Sequence, residues 1–245
     1  MTAIDVFKQS LTFYIRLFNK IFWLSVASSI VPLINSAIFG TAQPSGLGLL
    51  VMMLMSMFFS VYMMSLVHQY STEQDDSLSS AFSLTVEKVM PVALTSIVMG
   101  LFVMLAVIPA GIIGGILASG LSDEVLKSTL MGVVIAIPVC IIMYRCFFAA
   151  YYTLVDGLSP VEALKASNQQ IKGNKLAFNG FMVLGALTGV YALALLLLNL
   201  MIADNPLLLG VFEFGLNVFV LPIFTVFIYR LFVVTKQNQE IDEEL

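Results

Sequence analysis

The sequence predicts an all-α, polytopic membrane bundle, and three observations carry that prediction. The 245 residues are 60% hydrophobic and only 11% charged, with mean hydropathy +1.00, whereas a water-soluble domain carries about 25% charged residues. Apolar runs long enough to cross ~30 Å of hydrocarbon recur along the chain, each needing about 20 residues. The cations collect in alternate connections, as the positive-inside rule requires. A second soluble domain has no room. The balance of 11 Lys+Arg against 15 Asp+Glu leaves no basic field for phosphates, so a nucleic-acid partner is excluded.

Six runs of spanning length occur at residues 21–39, 47–67, 91–118, 131–155, 176–202 and 210–232. Pro109 interrupts the third and Pro138 the fourth, and each is expected to bend or break its helix. The first run is read as a retained transmembrane helix and not a signal peptide, because the preceding residues carry Asp5 and their own helical pattern. Short connections at 40–46, 119–130 and 203–209 read as hairpin tips.

One side of the bundle collects Lys8, Arg16, Lys20, Lys88, Lys165, Lys172, Lys175, Arg230 and Lys236, and the other only Lys127. Both termini and the two long loops are therefore expected in the cytoplasm. The chain is expected to be one membrane domain over 1–235, followed by an acidic, mobile cytoplasmic tail over 236–245.

Ahead of the first, third and fifth runs lie segments with helical periodicity but too little apolarity to cross. The first carries a stripe of Ile4, Phe7, Leu11, Ile15 and Phe18, and the second Leu78, Phe82, Thr85 and Val89. In the third, Val161, Leu164 and Ile171 oppose Glu162, Lys165, Gln169 and Lys172. Ser159, Pro160 and Glu162 spell a capping box, and Thr2 with Asp5 repeats its spacing. These segments read as three interfacial amphipathic helices, lying apolar face down on lipid or docked on the cytoplasmic ends of the bundle. Placing Thr2, Ser77 and Ser159 in register aligns Val6, Ala81 and Ala163, and then Ser10, Thr85 and Ser167. The alignment points to a parallel pseudo-threefold repeat with units 1–67, 77–155 and 159–232, each one interfacial helix and one two-span hairpin. Six-span carriers of the mitochondrial type share that arithmetic, but their acidic-and-basic signature after a kinking proline is absent.

Ionisable residues inside the runs are few. Arg145 needs a carboxylate, backbone carbonyls, water or the headgroup region, and two readings follow: a site for an anionic ligand or lipid phosphate, or a side chain that snorkels along Phe148, Ala149 and Tyr152. Glu213 is the other intramembrane ionisable group, too far toward the outer end to pair with it. His68 suits an interfacial span end. Gly111 with Gly115, and Gly185 with Gly189, have the small-xxx-small spacing of close helix packing. Cys140 and Cys146 point in different directions along a helix and read as small buried hydrophobes. The 14 methionines read as adaptable apolar filler. No metal-ligand set, nucleophile elbow, phosphate-binding loop or facing carboxylate pair is present, so neither an enzyme nor a cofactor is expected.

Pro138, Arg145 seven positions later, Asp156-Gly157, Ser159, Ala163-Leu164, Ser167 and Lys172-Gly173-Asn174, with the closing Tyr229-Arg230-Leu231-Phe232, form a pattern. It resembles the YciC-type family of uncharacterised bacterial inner-membrane proteins, related to the membrane domains of some glycerophosphodiester phosphodiesterases. Val139 stands where that pattern usually has glycine. The resemblance implies an integral inner-membrane protein with no established enzymatic activity, and it supplies no catalytic residue. The expected role is non-enzymatic engagement of membrane lipids or a protein partner in envelope homeostasis, with Arg145, Lys165, Lys172 and Lys175 as contacts to anionic headgroups. The alternative is a small secondary transporter or channel with its site near Arg145.

Overall fold

The computed structural model describes residues 1–39, 46–72, 77–202 and 206–244. Eight helices and no strand occur among the described residues: α1 Ala3–Phe39, α2 Gly46–Ser71, α3 Leu78–Ala118, α4 Glu124–Arg145, α5 Ala149–Val155, α6 Pro160–Ile171, α7 Lys175–Ile202 and α8 Pro206–Glu244. The expected tips at 40–46 and 203–209 fall largely outside the described residues. Five stretches are long and apolar enough to cross a membrane: Gly48–Ser71, Leu78–Ala118, Glu124–Val155, Lys175–Ile202 and Leu209–Gln239.

The 37 residues of α1 and the 41 of α3 extend roughly 55 and 60 Å at ~1.5 Å per residue, twice a hydrocarbon core. The segments expected to form the first two separate interfacial helices are therefore the opening turns of α1 and α3. No Gly or Pro stands between Phe18 and Ile21, or between Thr85 and Met90, to stop propagation. Only the third expected segment is a helix of its own, because Gly157 and Gly173 take positive φ values of 67° and 78° on either side of α6. Likewise, α8 runs through residues 236–244 and includes most of the expected tail.

Pro91, Pro109, Pro138 and Pro222 all lie inside helices. The prolines expected to interrupt the third and fourth runs do not do so. Each removes one N–H while the rest of the ladder persists, a loss that membrane helices tolerate.

The chain divides into two compact units, one of residues 1–89 and 175–245 and one of residues 90–174. In the first, α1 lies along α8. Val6, Ser10, Leu17 and Ile21 of α1 are buried, as are Val226, Phe227, Leu231 and Phe232 of α8. The Phe7 and Phe227 rings meet edge-on at 5.5 Å, and the Tyr14 hydroxyl donates to the Phe219 carbonyl at 3.4 Å. The stripe read from the sequence is not this face: Ile4 and Ile15 are 58% and 71% exposed. α2 adds Val61, Leu66 and Val67 to the core, with His68 Nδ1 3.0 Å from the Tyr229 hydroxyl. α7 joins through Gly180, where a Cβ would lie 2.2 Å from Leu231 Cδ2. By contrast, nothing lies within 4 Å of a Cβ at Gly111, Gly115, Gly185 or Gly189. The expected small-xxx-small contacts are not made within the protein, and the close approaches fall at Gly180 and Gly114 instead.

In the second unit, α5 is the centre, with Tyr151, Thr153 and Leu154 buried. Thr153 shares a 2.8 Å hydroxyl contact with Thr95 of α3, both buried. Beyond these cores the helices are apolar and bare. Leu105, Ile112 and Ile116 of α3, Val133 and Ile137 of α4, and Leu193 and Leu200 of α7 are each more than half exposed. Such long apolar faces are stable only against hydrocarbon or another protein, as in a multi-pass membrane protein.

Candidate functional site

Arg145 ends α4 at a break in the backbone that contains no proline. Cys146 and Phe148 sit near φ −100°, ψ 0°, in the sparsely populated bridge region. Tight bonds then replace the α-helical ladder: Phe147 N–H reaches the Tyr144 carbonyl at 3.2 Å and Ala149 N–H the Cys146 carbonyl at 3.0 Å. The Phe148 N–H and the Arg145 C=O are among the groups that lose their helical partners. Ser167 of α6 supplies both, accepting from Phe148 N and donating to Arg145 O, each at 3.0 Å. Ser167 is fully buried, so these bonds form where water cannot substitute.

The same helix holds the Arg145 side chain. Its Nη1 donates to Asn168 Oδ1 at 2.8 Å, and the residue is exposed. The 22 residues of α4 rise about 33 Å, a full hydrocarbon thickness. Arg145 thus ends α4 but lies within the longer apolar stretch Glu124–Val155, where its guanidinium meets the Asn168 amide.

α6 is oriented by its caps and by its buried face. The Glu162 carboxylate accepts the Ser159 hydroxyl at 2.6 Å and the Ser159 N–H at 3.2 Å. These bonds, followed by the Lys165 charge, hold the Glu162 carboxyl below its ordinary range. Thr2 and Asp5 form the equivalent box at the start of α1, and the Thr2 bonds lower the Asp5 carboxyl in the same way. Ala163, Leu164, Ser167 and Ile171 are buried within the second unit. That face of α6 is covered by protein, in keeping with the docked placement. Val161, expected on that face, is 53% exposed.

Lys165 and Asn168 lie three residues apart on the outward face of α6, and Lys172 follows as its C-cap. Asn168 brings the Arg145 guanidinium beside this face. Lys165 and Lys172 are exposed, and none of the three cations makes an ion pair among the described residues. Lys175 is exposed at the start of α7, three residues after Lys172 in sequence. Glu213 is half-buried on α8, in the other unit from Arg145. One turn after it, Asn217 accepts a short hydrogen bond from the Tyr191 hydroxyl. Cys140 and Cys146 are free thiols, Cys140 exposed. No cluster of three metal-ligating side chains occurs among the described residues.

Sequence reasoning assigned no role to Ser167 or Asn168. Both lie three to four residues from Leu164 and Ile171 on α6, but a backbone break at 146–148 has no sequence marker that would pair them with Arg145. No protein-family profile, curated protein or solved structure matches the chain.

Proposed function

We propose that this is a non-enzymatic, six-span protein of a bacterial inner membrane, with both termini and α6 in the cytoplasm. Residues 21–39 of α1 would supply the sixth crossing. In this reading Lys165, Arg145 and Lys172, and separately Lys175, which follows three residues later in the chain, engage anionic lipid headgroups, and the exposed apolar flanks of the helices take up acyl chains or a protein partner. The observation that carries it is the Asn168 bond, which holds the Arg145 guanidinium beside α6, where the exposed Lys165 and Lys172 form no ion pair among the described residues. Each cation near an anionic surface contributes roughly 1 kcal/mol, and the guanidinium adds paired donors suited to a phosphate. The exposed Ile4 and Ile15 give α1 a further apolar stripe for the interface.

The membership in the YciC-type family and the threefold repeat belong to the same proposal. Supporting the repeat, the three aligned positions four residues after each cap, Val6, Ala81 and Ala163, are all fully buried, as are Ser10, Thr85 and Ser167 four residues later. Phospholipid retained on purification tests the headgroup reading. Arg145→Ala and the Lys165→Ala/Lys172→Ala/Lys175→Ala variant should lose bound phosphatidylglycerol relative to wild type, and equal retention rejects it. Reporter fusions at residue 172 and at the carboxy terminus must both report cytoplasm.

A further inference from the structure

A cavity of about 390 Å³ opens among α1, α2 and α8 of the first unit. α1 contributes Ser25, Ser28 and Ser29, and α2 contributes Ser56 and Ser60. α8 closes it with Asn217, Thr225 and Pro222, while Phe59 and Phe224 are among its apolar walls. Ser60 lies 12 residues from Gly48 and 11 from Ser71, at the middle of its crossing. Hydroxyls at that depth ordinarily turn back onto their own helix. Ser25 and Ser28 do so, donating to the Ile21 and Ser25 carbonyls at 2.8 and 2.9 Å. Ser29, Ser56 and Ser60 make no hydrogen bond among the described residues, and Ser56 and Ser60 are exposed. Asn217 has its carbonyl oxygen taken by Tyr191, which leaves its NH₂ as a donor. Pro222 has no N–H, so the Val218 carbonyl lacks its helical donor.

We infer that this cavity is a binding site for an uncharged, polyhydroxylated solute. The lining presents hydroxyls that both donate and accept, one amide donor and aromatic walls, the small polar set on an apolar frame that marks ligand pockets. None of its described lining residues carries a charge, so an ion would meet no countercharge from them at mid-membrane. The volume matches about 13 waters at ~30 Å³ each, room for a solute of roughly a dozen non-hydrogen atoms, the size of a hexose or an inositol. The same chemistry is offered by a free sugar and by the sugar headgroup of a membrane glycolipid.

The test is binding of radiolabelled D-glucose and myo-inositol to the full chain in phosphatidylethanolamine/phosphatidylglycerol nanodiscs, with gluconate as the charged counterpart. At least one polyol should bind saturably and gluconate should not. Ser56→Ala/Ser60→Ala removes two hydroxyls without a hydrogen bond among the described residues, so it should weaken binding about tenfold, the equivalent of two neutral hydrogen bonds, at an unchanged melting temperature. Ser60→Leu, which pushes an apolar branch into the cavity in place of a hydroxyl, should abolish binding. Octyl glucoside, added below its micellar concentration, separates the sources: competition stronger than that of glucose assigns the ligand to the membrane, and weaker competition assigns it to water. Absence of binding by both polyols and the glucoside overturns the inference. So does binding that survives both variants, or gluconate binding as tightly as glucose.

Discussion

Replacing Gly180 by alanine should loosen the α7–α8 contact. The added Cβ would lie 2.2, 2.8 and 3.0 Å from Leu231 Cδ2, Cδ1 and Cγ, against ordinary carbon contacts near 3.5–4.0 Å. Rotation of the leucine relieves only part of this, because its Cγ is itself too close and the side chain is 0% exposed. The leucine branch must turn, and the helices must part by a few tenths of an ångström to clear its Cγ. Overpacking of this kind costs about 1–3 kcal/mol, and a chain of this size loses roughly 2–4 °C of melting temperature per kcal/mol. Thermal unfolding of the purified protein in micelles should therefore fall by about 2–12 °C. Gly185→Ala is the matched control on the same helix. With nothing within 4 Å of its Cβ, it should be neutral or slightly stabilising, since alanine favours a helix over glycine by up to ~1 kcal/mol. Leu231→Ala alone leaves a cavity worth about 2–5 kcal/mol, yet combined with Gly180→Ala it should cost less than the sum, because the new methyl enters the vacated space. A Gly180→Ala protein that melts with wild type, or strict additivity in the double variant, would refute the packing argument.

Ser167→Ala should strand the Phe148 N–H and the Arg145 carbonyl in a buried site, costing about 1–3 kcal/mol, and hydrogen exchange at the Phe148 amide should accelerate by an amount that Asn168→Ala does not reproduce. Asn168→Asp should give Arg145 a charged partner and reduce phosphatidylglycerol retention, while Asn168→Gln keeps it. The α6 cap should weaken in acid: because Glu162 is held below its ordinary range in the folded protein, its contribution is full above the unfolded value near ~4.3 and fades as pH falls through the lower folded value. Amide exchange at residues 161–163 should rise over that acid window in wild type and be insensitive to it in Glu162→Gln. Thr95→Val and Thr153→Val should each remove the hydroxyl contact while the remaining threonine keeps its bond to the Ala149 or Pro91 carbonyl of its own helix, so a thermal double-mutant cycle should read a coupling of only about 0.5–1.5 kcal/mol.

The apolar runs and both capping boxes were legible in the sequence because each depends on residues close together in the chain. The lengths of α1 and α3 were not. Polarity falls off at Lys20 and Lys88, but polarity does not end a helix; only a missing N–H, a positive φ or a cap does, and neither site has one. The opposite error arose at Pro109 and Pro138, which carry the strongest local breaking signal and yet sit in continuous helix, where a single lost bond is outweighed by the ladder on either side. For the candidate site, the cations were readable as charges in an apolar background. Their arrangement beside α6 was not, because it depends on a break after Arg145 that Ser167 stabilises from 22 residues away.

That break also shows how one buried position can serve different ends. Ser10 and Thr85 donate to their own helices at the Val6 and Ala81 carbonyls, each at 2.7 Å, the local solution open to any hydroxyl inside a helix. Ser167, in the same register, faces two backbone groups left without partners and turns outward to them. The gain is larger there, since two buried groups are satisfied at once, whereas the carbonyls bonded by Ser10 and Thr85 remain within intact helices. A small hydroxyl at this register is therefore compatible with a continuous helix until a neighbouring strand of backbone opens, and it then fixes the opening in place. Arg145 is delivered to the α6 surface by that fixation, so the group of cations there stands or falls with a buried serine that carries no charge.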